Sequence, residues 1–161
     1  MPVKKRNKKI KLTKKGYEDL KQELDTLVND KLPKVVDRIS KAREKGDLSE
    51  NSEYQSALED KDIINARISE IEDVLEKAEV VNKTTSKTKI GIGSQVKVHL
   101  KDKPKQEMSF TIVGQYEGDA DEGKISTDSP LGEALLDKKV GEEAIVDAPA
   151  GEIVYIVDEV K

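Results

Sequence analysis

The sequence predicts an α+β protein, an N-terminal antiparallel α-helical coiled-coil hairpin followed by a small α+β domain. Three observations carry this expectation. Apolar residues recur at steps of three and four along two long stretches, the polar, glycine-bearing run EKGDLSENSEY separates those stretches at residues 44–54, and past residue 80 short alternating β-rich runs replace the helical period.

Composition supports two modest units over one dense core, because the 161 residues are 35% apolar and only 3% aromatic. Charged residues make up 39%, and the net charge of -4 gives no whole-protein preference for nucleic acid or membrane. The absence of cysteine excludes disulfides and thiolate metal sites and suits a reducing compartment. The basic start MPVKKRNKKIKL lacks the apolar segment of a secretion signal, and no apolar run approaches the roughly 20 residues of a membrane span. The expected location is the cytoplasm, with no membrane partner.

Residues 1–12 read as a basic N-terminal segment and 13–80 as the hairpin, its tip near 44–53. The first seam is Tyr17, Leu20, Leu24, Leu27, Leu32, Val35, Ile39 and Ala42, with one extra residue between Leu27 and Leu32. Pro33 follows that stutter, where a missing N–H predicts a bend. Tyr54, Ala57, Lys61, Ile64, Ile68, Ile71, Leu75 and Ala78 form the second seam. Arms on the order of 40 Å joined by a short turn must lie antiparallel. The first arm with its leader carries a charge near +8 and the second near -8, which favours register more than stability. Residues 81–93 read as a linker. The domain 94–161 has strand-like runs SQVKVHL, MSFTIVGQY, AIVDAP and EIVYIVDEV, one short helix in LGEALLDKK, and turns at EGDADEG and PAG.

Enzymatic signatures are missing. The single histidine, His99, cannot build both a triad and a zinc site, and the glycines form no phosphate-binding loop before a helix. The chain is therefore expected not to be an enzyme on its own. At the tip, Gly46 suits a helix end, Asp47 suits a cap and Glu50 stands where a capping box wants a glutamate. Glu53 adds a third carboxylate. Such oxygens also suit a hard cation such as Mg²⁺, so capping and ligation both stay open.

The run AREKGDLSENSEY, with LTKKGYEDLKQEL and LPKVV before it and TDSPLGEALLDKKVGEEAIVDAPAGEIVYIV after it, resembles the bacterial transcript cleavage factors GreA and GreB over nearly the whole chain. The acidic globular domain leans towards the GreA type. The resemblance implies an FKBP-like C-terminal domain and a monomer that binds bacterial RNA polymerase, inserts its tip into the secondary channel and stimulates cleavage of backtracked RNA at its 3′ end. It assigns Asp47 and Glu50 to the polymerase's second catalytic Mg²⁺, acting in trans, with no cofactor in isolation. Asp128, Ser129 and Pro130 match the family's docking motif. Leu48 and Ser49 are expected to shape the turn, with channel contact as their second role, and Arg43, beside Lys41 and Lys45, either solvates the helix or meets RNA phosphate or acidic channel walls. Two other readings are a related channel-binding inhibitor and an FKBP-like prolyl isomerase with a coiled-coil arm. For the isomerase, Phe110, Tyr116 and Tyr155 are too few aromatics to line a pocket.

Overall fold

The computed structural model describes residues 8–46 and 51–161, which fall into two compact units. One is Tyr17–Lys77, and the other joins the chain up to Gly16 with Ala78–Lys161.

The first arm of the helical unit comprises α1 (Lys14–Thr26), a π-helical turn (Leu27–Lys31) and α2 (Leu32–Arg43). The second is α3 (Ser52–Lys77). The extra residue between Leu27 and Leu32 is absorbed by the π turn, in which the Leu32 N–H donates to the Leu27 carbonyl five residues back. Pro33 follows inside the first turn of α2, where it has no such bond to give. Leu20, Leu27, Val35 and Ala42 are buried on the first arm, and Ala57, Ile71 and Val74 on the second. Val74 was absent from the predicted seam, whereas its neighbour Leu75 is half-buried. Cross-arm pairs fix the antiparallel sense: Arg38 reaches Glu53 and Asp60, while Arg67, farther along α3, reaches back to Glu23.

In the other unit β1 (Ile10–Thr13) pairs in parallel with β2 (Ala78–Val81), residue 10 opposite 78 through 13 opposite 81. The two strands straddle the expected boundaries at 12/13 and 80/81. IKLT and AEVV are strands because each supplies the other's backbone partners, a pairing that a local helical period does not reveal. The stretch 81–93 is likewise more than a spacer, since Ile90 is buried in the sheet's core and bonds through its backbone to Lys138 and Asp137.

The main sheet has the order β5-β4-β3-β7-β6, from β3 (Gln95–Leu100), β4 (Lys103–Val113), β5 (Lys124–Ser126), β6 (Glu143–Ala148) and β7 (Gly151–Val160). Only β4 and β5 are parallel. Val96, Val98, Ile112, Val157 and Val160 turn to one face, where Leu131, Ala134 and Leu135 of α4 (Pro130–Leu135) pack against them. His99 lies on the other face, its Nδ1 at 2.8 Å from the Asp158 carboxylate, an ordinary satisfied side chain.

Thr13 caps α1, its hydroxyl accepting from the Gly16 N–H at 3.0 Å. A capping box would place Glu at Gly16's position. Here the carboxylate comes from Glu117, which accepts from the Thr13 N–H at 3.0 Å, from the Thr13 hydroxyl and from the Gly114 N–H at 3.0 Å. Gly16 has to be glycine for this to fit, because a Cβ there would lie 2.2 Å from the Glu117 carboxyl carbon.

Candidate functional site: the hairpin tip and the start of helix α4

α2 ends at Arg43, and Gly46, with φ +117, takes the left-handed conformation that lets the chain leave the helix. Asp47, Leu48, Ser49 and Glu50 lie outside the described residues. The chain re-enters at Asn51, whose Oδ1 accepts from the Tyr54 N–H at 3.0 Å and whose carbonyl accepts from the Gln55 N–H at 3.1 Å. Asn51 is therefore the N-cap of α3, a role for which the sequence also suited Asp47. Its amide nitrogen also donates to the Ala42 carbonyl of the other arm at 2.7 Å.

Glu53, grouped with the tip carboxylates in the sequence, is engaged below the tip: Arg38 donates to it through Nε at 3.0 Å and Nη2 at 2.9 Å, while Nη1 holds Asp60 at 2.7 Å. Arg43 is exposed, its guanidinium 5.8 Å from the centre of the half-buried Tyr54 ring, which places Tyr54 against the arms. Lys41 pairs with Asp37 on its own helix at 2.6 Å and keeps its charge more firmly for it, first through that hydrogen bond.

In the sheet unit, Asp128, Ser129 and Pro130 sit together at the start of α4. Ser129 is its N-cap, accepting from the Gly132 N–H at 3.1 Å and donating to the Ser126 carbonyl at 2.7 Å. Pro130 occupies the first helical position, where its missing N–H costs nothing. Asp128 is exposed and accepts from the Ser126 hydroxyl. Gly132 fits because a Cβ there would stand 1.9 Å from the Ser126 carbonyl oxygen. The motif is thus a well-made helix start presenting one exposed carboxylate and one exposed proline ring.

Sequence reasoning missed two residues. Asn51 was read only as part of the tip run, although an Asn before a periodic helix is itself a capping signal. Glu117 carried no capping signal, since the helix start it completes, at Thr13, lies 104 residues earlier in the chain.

Residues 10–80 match the family model described as "Transcription elongation factor, N-terminal", and residues 85–161 match "Transcription elongation factor, GreA/GreB, C-term". The chain is 44% identical over 144 residues to transcription elongation factor GreA of Amoebophilus asiaticus, covering 89% of this chain and 91% of that protein. It is 42% identical over 153 residues to the GreA of Thermotoga neapolitana, covering 95% and 97%. Among solved structures, GreA factor homolog 1 (Gfh1) of Thermus thermophilus is 32% identical, covering 95% of this chain and 99% of that one, with a TM-score of 0.43.

Proposed function

Since the chain belongs to the GreA/GreB family of transcription elongation factors, we propose that it binds bacterial RNA polymerase, inserts its hairpin tip into the secondary channel and stimulates the polymerase's own cleavage of backtracked RNA. The protein is an accessory factor of the GreA type and runs no reaction alone. The sheet unit is FKBP-like in fold but not an isomerase. Its surface depressions bordering β3 and β4, and β3 and β7, carry one aromatic each, Phe110 and Tyr155.

The observation that carries this reading is the division of labour around the tip. Asn51 supplies the N-cap of α3, and Arg38 holds Glu53 below the tip. Asp47 and Glu50, two acids three residues apart at the turn between two long arms, are suited to act on something outside the chain. Two carboxylates are too few for the six oxygens around Mg²⁺, so the ion is shared with the polymerase's own ligands. When bound there it supplies Lewis-acid stabilisation and an activated water. Asp47 and Glu50 contribute negative oxygen ligands that raise its occupancy. Leu48 and Ser49 shape the turn between them, Arg43 meets RNA phosphate or an acidic channel wall, and Asp128, Ser129 and Pro130 dock the sheet unit on the polymerase.

Asp47→Asn and Glu50→Gln test this, because each preserves size and hydrogen-bonding capacity while removing charge. Both variants are expected to melt with the parent and compete for polymerase, yet lose stimulated cleavage on a stalled, backtracked complex by at least about tenfold, or about 1.4 kcal/mol of transition-state stabilisation. Raised Mg²⁺ should restore part of it. Full cleavage by the double variant at low Mg²⁺ would sink the metal-ligand role.

A further inference from the structure

We propose that Asn51 is a positioning residue for the tip: one amide side chain ties the end of the first arm to the start of the second and so sets the frame in which residues 47–50 are presented. The inference rests on the role given above to Asp47 and Glu50.

The geometry is specific to an amide. Oδ1 accepts from the Tyr54 N–H at 3.0 Å, and Nδ2 donates to the Ala42 carbonyl at 2.7 Å. Reversing the amide would set oxygen against carbonyl oxygen and N–H against N–H, so its orientation is fixed by its partners. Each partner is a backbone group that a helix end leaves without an intrahelical mate: Tyr54 is third in α3, and Ala42 lies one residue before the end of α2. A side chain this short reaches across at a small residue, Ala42, which is 1% exposed. The Ala42 carbonyl also accepts from the Lys45 N–H at 3.2 Å, so one oxygen gathers the chain leaving the first arm and the residue opening the second.

A cap alone would need only the Oδ1 half of this arrangement. Serine caps as well as asparagine, but its side chain is too short to reach across to Ala42 as well. Asn51→Ser therefore separates the two roles, and Asn51→Ala removes both.

Amide hydrogen exchange on the free protein reads the frame without polymerase. In Asn51→Ser the α3 start, including Tyr54, should keep its protection, while residues 43–46 exchange at least about threefold faster. In the stalled-complex assay the same variant should show a maximal cleavage rate reduced about fivefold or more at saturating factor. The factor concentration for half-maximal effect should stay within about twofold, because the sheet unit's contacts are untouched. Exchange at 43–46 equal to the parent's, or full maximal cleavage by Asn51→Ser beside inactive Asp47→Asn, overturns the positioning role while leaving the tip acids in place. Retained cleavage by Asp47→Asn and Glu50→Gln instead overturns the ligand role, and Asn51 loses its positioning task with it.

Discussion

Glu117 completes the N-terminal cap of α1 from 104 residues along the chain, accepting from the Thr13 N–H at 3.0 Å in the space left by Gly16. Three donors converge on this one carboxylate, and it takes the place of the glutamate a local capping box would carry. Glu117→Ala leaves the Thr13 and Gly114 N–H groups without that acceptor in a partly buried place, so it should lower stability by about 1–3 kcal/mol. Gly16→Ala should cost a similar amount by pushing the carboxylate out. Because both variants break the same contact, the double variant should be no worse than the poorer single one in thermal or urea melts. Strict additivity would show that the two residues act independently.

The Arg67–Glu23 pair joins the arms through two parallel bonds, Nε to Oε1 at 2.7 Å and Nη2 to Oε2 at 2.9 Å. These bonds, foremost, hold the Glu23 carboxyl below its ordinary value against the opposing effect of partial burial, and raise Arg67. A carboxyl whose folded value is depressed stabilises fully above its unfolded value, about 4.3, and loses that contribution as the pH falls through the lowered folded value. Both side chains are more than a third exposed, so solvent screening holds the pair to about 1 kcal/mol at most. The melting difference between the parent and Glu23→Gln should therefore be constant from about pH 7 to 5 and shrink below about pH 4. A difference that persists undiminished at pH 3 would assign it to packing.

At the start of α4, docking and capping fall on different residues and can be tested apart. Ser129→Ala removes the bond to the Gly132 N–H and should cost about 0.5–2 kcal/mol of stability, which makes it a poor probe of binding. Asp128→Ala and Pro130→Ala alter the exposed groups. They should leave the melting temperature within a degree or two while weakening competition for polymerase several-fold. Unchanged competition by both would remove this corner from the docking surface.

Much of the architecture was legible because it is written in local periods. The two arms follow from apolar spacing, the irregular step between Leu27 and Leu32 marks the π turn, and the β3, β4, β6 and β7 strands follow from alternation with turns where glycine permits them. What the sequence hid depends on partners distant in the chain. IKLT looks like the end of a basic leader until AEVV is placed beside it, and Ile90 looks like part of a linker until the sheet's core closes over it. Glu53 looks like a tip acid until Arg38 turns to meet it. The docking motif was legible as a helix start, since Ser-Pro carries a cap and a first-turn proline, but nothing in that pattern says what its exposed corner touches. The tip acids were singled out by their place and spacing, which fit a cap and a cation ligand alike, and only the resemblance chose between the two.

The parallel β1–β2 pair has an evolutionary consequence. The segment Tyr17–Lys77 departs and returns through two neighbouring, paired strands, so its two ends are held side by side. One heptad added to each arm would lengthen the hairpin by about 10 Å while leaving the strand register unchanged. One heptad removed from each would shorten it by as much. Reach can therefore drift or be selected as a single coordinate, provided insertions come in matched pairs, one on each arm.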